Sequence, residues 1–186
     1  MFRKLCDLCE VKGLHIVRSL VGNFVTSLEH PELFMVQLRA ILRASQGRNV
    51  GILLPIVSSA DEIREARGYL TRAQRELKNE NVPFDDGVKL GIMVEVPAAA
   101  FIAERLTGEV DFMSIGTNDL SQYVMSADRC SGRVSSLCDA LHPAVLHLIQ
   151  LTARACHASG NGQGSVERWR GTGPLYRCCW DLESTS

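Results

Sequence analysis

Three short apolar runs, at residues 50–57, 88–94 and 110–115, alternate with segments of helical period, and no other feature constrains the fold as tightly. Each run has the length of a strand buried on both faces, where hydrophobic residues need not alternate with polar ones. Pro31 begins a helix whose apolar stripe is Leu33, Phe34, Val36, Leu38, Ile41 and Leu42, with Arg39 and Arg43 facing out, and which ends near residues 45–47. Ser58 and Ser59 cap a charged amphipathic helix over residues 61–78, with Ile63, Ala66, Leu70, Ala73 and Leu77 on one side. Its charge run is read as a solvated face. Pro97 opens a helix over 98–106 that Gly108 closes. A short helix follows to Met125, then a loop over 128–139 and a long helix over 143–158 closed by Gly160. Strands and helices in this order predict an α/β fold with a parallel sheet, and right-handed crossovers place consecutive strands side by side.

Composition narrows the partners. Twenty basic and 21 acidic residues leave a net charge of −1, so no overall field favours nucleic acid or an anionic membrane. No apolar run approaches the roughly 20 residues of a membrane-spanning helix, and the first ten residues are interrupted by Arg3, Lys4, Asp7 and Glu10. The expectation is a cytoplasmic protein. Seven cysteines without a secretion signal suit reduced thiols better than a disulfide framework. Cys6 and Cys9 form a Cys-x-x-Cys, but with no second pair and no His at finger spacing it carries no zinc or redox assignment. Residues 1–26 mix apolar and basic side chains without a period, and no function is assigned to them.

The chemistry concentrates between Asp111 and Arg129. Phe112, Met113 and Ile115 form a buried strand that Gly116 ends at a sharp turn, so Asn118 and Asp119 stand at the strand's C-terminal tip. In parallel α/β folds that tip is where ligands bind, and an amide and a carboxylate there can reach a metal or an anionic substrate. Thr117, Asn118 and Asp119 are equally good N-cap residues for the helix that follows, and spacing alone does not choose. Glu95 ends the preceding strand. Adjacent strands run about 4.8 Å apart, so the Glu95 and Asp119 carboxylates would share one rim, which suits Mg²⁺. Glu95 can instead cap the helix after it, and Arg129 can be a surface arginine paired with Asp128.

The strand, the Gly-Thr-Asn-Asp turn at residues 116–119, Gln122 and Arg129 together resemble the second signature of the phosphoenolpyruvate-utilising enzymes. Within that family the resemblance is nearest to the phosphoenolpyruvate-protein phosphotransferases, the Enzyme I proteins of sugar or nitrogen phosphotransferase systems. It covers about residues 27–160 and implies a partial TIM (β/α)8 barrel, truncated at both ends, since a whole barrel takes about 250 residues and this chain has 186. By this resemblance Glu95 and Asp119 are expected to hold Mg²⁺, while Asn118, Asp119 and Arg129 bind phosphoenolpyruvate, the arginine as the fork that anchors its phosphate. The implied reaction passes the phosphoryl group to a histidine and leaves pyruvate as its enolate until it is protonated, with metal and arginines stabilising the charge. The histidine belongs to a separate phosphohistidine domain that hands on to a phosphocarrier protein. Intact members are expected to be homodimers. None of the five histidines here lies in a Gly-Gly-x-x-Ser/Thr-His context, and His142 and His147 are read as structural or exposed.

This chain departs from the family pattern in three places. Residues 1–26 contain no Gly-x-Arg-x-x-Arg, Gly51 stands where the family often has an arginine, and no Cys-Gly-Glu follows Gly160 to supply a proton donor; Cys130, Cys138 and Cys156 do not match it. No catalytic residue is therefore expected to be retained, and the chain alone is expected to be inactive. The nearest alternatives are a dikinase or synthase of the same barrel type, and an inactive truncated barrel. An aldolase-like lyase holding Mg²⁺ and a pyruvate enolate is disfavoured by Gly-Thr-Asn-Asp followed by Arg129. Residues 161–186 lose all periodicity where the family motif would begin, and are expected to be read out of frame and to lack a native packing partner. In the shifted frame the codons permit Val-Cys-Gly-Glu-Leu-Ala-Gly-Asp over residues 164–172, which sequencing of the gene would confirm or refute.

Overall fold

The computed structural model describes residues 30–159 with their side chains, and the backbone of three further strands at residues 8–11, 14–18 and 164–167. Six strands form one sheet in sequence order: β1 (Leu8–Val11), β2 (Leu14–Arg18), β3 (Val50–Leu54), β4 (Lys89–Val94), β5 (Phe112–Gly116) and β6 (Gly164–Glu167). β2 to β6 run parallel, as the alternation predicts. β1 is antiparallel to β2 at one edge. Two strands thus occupy the aperiodic residues 1–26, and a third lies within 161–186. Ladder pairing needs only free backbone donors and acceptors, so these strands form where the side chains announce no period. The expectations for the rest of 161–186 fall outside the described residues.

The helices follow their capping chemistry. α1 (Pro31–Ala44) starts with Pro in its first turn, and α2 (Ala60–Asn79) starts at Ser59, whose hydroxyl accepts from the Glu62 N–H at 3.4 Å. Glu62 reaches back to accept from both the Ser58 N–H (2.9 Å) and hydroxyl (2.7 Å), a reciprocal cap of the kind that fixes a helix start. All five apolar residues expected to face inward on α2 are buried. On α1, Phe34, Met35, Leu38, Ile41 and Leu42 are buried, whereas Leu33 and Val36 are exposed, because the helix offers only one stripe to the sheet. Nor does Arg39 simply face out. It crosses to α2, with Nη1 3.2 Å from Glu76 and Nη2 2.6 Å from Glu80.

The helix expected over 98–106 is two pieces, α3 (Pro97–Phe101) and α4 (Ala103–Leu106), separated at Ile102, where the backbone leaves helical geometry. A 3-10 turn over Thr107–Glu109 leads into β5. α5 (Thr117–Met125) begins three residues earlier than its apolar pattern suggests, and α6 (Pro143–Ala158) packs on α3, α4 and α5. His142 caps α6, its Nδ1 accepting from the Ala144 N–H at 3.2 Å.

Strand alternation divides the buried residues between two faces. Ile52, Leu54, Leu90, Ile92, Val94, Met113 and Ile115 join the helices in one hydrophobic core. Leu53, Met93, Phe112 and Ser114 point the other way and are also buried. The central strands are therefore covered on both faces, as their unbroken hydrophobic runs require. Phe112 lies across Gly91 on the neighbouring strand, so close that a Cβ there would come within 2.5 Å of its ring. Any side chain at that crossing would have to displace the Phe112 ring.

Candidate active site

The site is assembled by one step of strand register. Val94 pairs with Ile115, which sets Glu95 opposite Gly116 at the C-terminal ends of β4 and β5. Glu95 is fully buried. Its side chain lies over the Gly116 backbone, and a Cβ at Gly116 would stand 2.5 Å from Glu95 Cγ and 3.2 Å from its carboxyl carbon. Gly116 has an ordinary φ of −87°. Its role is thus to leave room for the carboxylate, and the sharp turn expected there does not require it. A carboxylate held out of water is kept there by the polar groups around it, and at the C-terminal tip of a parallel strand it stands where ligands bind in such folds.

α5 begins directly on Gly116, which has no side chain to cap with, and Thr117, Asn118 and Asp119 form the helix's first turn. The reading of these three as N-cap residues therefore fails. Glu95 likewise precedes Val96, which holds the N-cap position of α3. Asn118 and Asp119 are both half-buried. Two buried hydroxyls in the same stretch, Ser114 Oγ and Thr117 Oγ1, have no hydrogen-bond partner among the described residues. Such orphans call for an explanation in a native fold.

Arg129 meets Asp119. Its Nη1 lies 3.1 Å from Asp119 Oδ1, which removes the alternative pairing with Asp128. The Asp128 carboxylate instead accepts from the Cys130 N–H at 2.8 Å. Arg129 is brought back along α5 because Ser126 ends the helix in the left-handed region (φ 50°) and the Ala127 N–H bonds to the Gln122 carbonyl at 3.1 Å. Gln122 Oε1 then accepts from the Arg129 N–H at 3.2 Å. Of the residues named from sequence, the structure joins Asp119 to Arg129, sets Asn118 beside Asp119, and places Glu95 on the adjacent strand tip. Sequence reasoning gave Gln122 no role of its own, although its place one turn after Asp119 was a usable signal.

Among the described residues no group of three or more His, Cys, Asp or Glu side chains could hold a metal ion; the carboxylates at these two strand tips are Glu95 and Asp119. Hard oxygen donors in that number fit Mg²⁺, which keeps most of its waters, and fit softer metals poorly. One further strained position lies on the same rim: Ile56, two residues beyond β3, has φ 49°, an outlier for a β-branched residue.

Comparison with known proteins gives the family. Residues 23–170 match the PEP-utilising enzyme, PEP-binding domain. The match runs past both ends of the span 27–160 seen in the sequence. The chain is 46% identical over 138 residues to a phosphoenolpyruvate-protein phosphotransferase from Buchnera aphidicola and 47% identical over 137 residues to one from Staphylococcus carnosus. Each alignment covers 74% of this chain and 24% of the relative, so the chain spans about a quarter of those proteins. Among solved structures, a citrate lyase from Burkholderia xenovorans aligns with a TM-score of 0.54 at 24% identity, over 71% of this chain and 40% of that one. An HpcH/Hpal aldolase/citrate lyase family protein from Burkholderia cenocepacia aligns at 0.52 and 16%, over 84% and 58%. These likenesses concern the fold alone. The sequence match and the rim of Glu95, Asn118, Asp119 and Arg129 lead to one assignment: the chain belongs to the PEP-utilising enzymes, matching them across the PEP-binding domain.

Proposed function

We propose that this chain is the phosphoenolpyruvate- and Mg²⁺-binding part of a phosphoenolpyruvate-protein phosphotransferase, folded as part of a (β/α)8 barrel. The observation that carries the reading is the rim itself: a fully buried Glu95 at one strand tip beside the Asp119–Arg129 pair at the next. The parallel strands with both faces buried support a barrel wall, since a packed barrel buries its inner side chains as well as its outer ones.

Glu95 and Asp119 would hold Mg²⁺, which when bound supplies positive charge beside the enolate oxygen as the phosphoryl group departs. The chain's own residues do the positioning. Arg129 presents a planar fork to the phosphate, a geometry lysine cannot offer. Asn118 contributes a neutral donor and acceptor next to it. α5 starts at that same end of the sheet, and the positive end of its dipole favours negative charge there. The phosphoryl group would pass to a histidine on another domain, and from there to a phosphocarrier protein, in a cytoplasmic homodimer. No helix among the described residues is long and apolar enough to cross a membrane.

The purified chain is expected to bind phosphoenolpyruvate only when Mg²⁺ is present and to release no pyruvate, because no Cys-Gly-Glu and no Gly-x-Arg-x-x-Arg are present in it. Calorimetric titration with and without Mg²⁺, beside a pyruvate assay, tests this. Binding indifferent to Mg²⁺, or pyruvate release that Arg129→Ala abolishes, would overturn it.

A further inference from the structure

Arg129 is 45% exposed, on a loop beyond the end of α5. A long side chain in such a place loses considerable conformational freedom when it is fixed on a ligand, so an effective anchor needs its backbone held beforehand. The loop has two ties to α5 near Arg129. One is the ion pair with Asp119, and the other is the hydrogen bond from the Arg129 N–H to Gln122 Oε1 at 3.2 Å. Asp119 and Gln122 stand three residues apart and so share one face of the helix.

The two ties differ in kind. Asp119 holds the guanidinium, the group that must be free to turn to a phosphate, and its charge is also the one a cation would draw on. Gln122 is neutral and holds only the main chain. It can keep its grip whatever the guanidinium does. Its backbone carbonyl also receives the Ala127 N–H, so this single residue fixes the loop at two points.

We propose that Gln122 is the positioning residue for Arg129: its side-chain amide oxygen fixes the arginine's backbone over the rim, so that the guanidinium can pass between Asp119 and a substrate phosphate without the loop reorganising. The role of Arg129 as phosphate anchor rests on the function proposed above, whereas the clamp itself rests on the hydrogen bond.

Gln122→Met removes the acceptor while keeping length and helix propensity, with Gln122→Leu as a second form should the first not fold; Gln122→Glu keeps an acceptor oxygen. Amide hydrogen exchange of the intact 186-residue chain reads the clamp without substrate. The Arg129 amide is expected to exchange about tenfold faster in Gln122→Met, as loss of one hydrogen bond implies, and at the native rate in Gln122→Glu. Unchanged exchange at Arg129 in both Gln122→Met and Gln122→Leu would overturn the proposal. Titration with phosphoenolpyruvate and Mg²⁺ then reads the purpose. Gln122→Met should weaken binding about tenfold in the native background and not at all in an Arg129→Ala background, the pattern of a residue that acts only through another. An equal loss in both backgrounds would show that Gln122 acts elsewhere and overturn it. If Arg129→Ala leaves binding untouched, the anchoring function is refuted, and the exchange measurement alone decides whether Gln122 holds the loop.

Discussion

The flank built by α1 and α2 and the rim at the ends of β4 and β5 differ in how they satisfy their polar groups. On the flank, Arg39 spans Glu76 and Glu80, Arg72 meets Glu76, and Arg64 lies between Asp61 and Glu109. Arg39 ties α1 to the end of α2, Arg64 ties α2 to the 3-10 turn before β5, and the remaining pairs lie within α2. At the rim, two buried hydroxyls lack a hydrogen-bond partner among the described residues, and a β-branched residue adopts a positive φ. Local rules are kept on the flank and broken at the rim. Departures that concentrate at one edge are what a functional site produces, since its groups are arranged for a ligand ahead of the fold.

Substitutions on the two sides should therefore separate stability from binding. The largest stability effect is expected on the flank. Leu77 is fully buried between α2 and the sheet, and Leu77→Ala should cost about 2–5 kcal/mol through lost burial and the cavity left behind. Denaturant unfolding measures this, and phosphoenolpyruvate affinity should be unchanged wherever the variant stays folded.

Gly116→Ala reverses the balance. The new methyl group would meet Glu95 Cγ at 2.5 Å, and overpacking of this sort costs about 1–3 kcal/mol. Mg²⁺-dependent phosphoenolpyruvate binding should fall further than the stability loss implies, since the displaced group is the candidate ligand. Equal losses in a flank and a rim variant of matched stability would erase the distinction.

The smallest effect is expected for Arg39→Ala. The Arg39 guanidinium, bonded to Glu80, holds that carboxyl below its usual range. A group whose pKa is lowered by folding adds stability above its unfolded pKa and loses it as pH falls through the folded value. The native chain's small advantage over Arg39→Ala should therefore be present at neutral pH, fade on acidification through the carboxylate range, and shrink with added salt, because the pair is exposed. Thermal unfolding at several pH values checks the direction.

Much of this contrast was legible in the residues. The five inward positions of α2 and the bounds of α6 follow from period and caps alone, because their environment is set within a few residues of chain. Glu95, Asn118, Asp119 and Arg129 were legible only through the family signature. Residue pattern left both carboxylates open to a capping role, and which one prevails depends on where α5 starts relative to Gly116, a matter of tertiary packing. The split at Ile102, the exposure of Leu33 and Val36, and the partnership of Arg39 with α2 were likewise illegible, since each is decided by a neighbouring element distant in sequence. Strands β1, β2 and β6 carry no strand period at all and are defined by backbone pairing.

Glu95 and Asp119 are expected to act together on one cation. Mn²⁺, a spectroscopic substitute for Mg²⁺, can be titrated into the chain in the presence of phosphoenolpyruvate and followed by electron paramagnetic resonance. Glu95→Gln and Asp119→Asn, each with native circular dichroism, should both lose the bound-metal signal, with affinity falling by about a hundredfold or more, and the double variant should be no worse than either alone. Native metal affinity in both single variants would show that these carboxylates do not hold the cation.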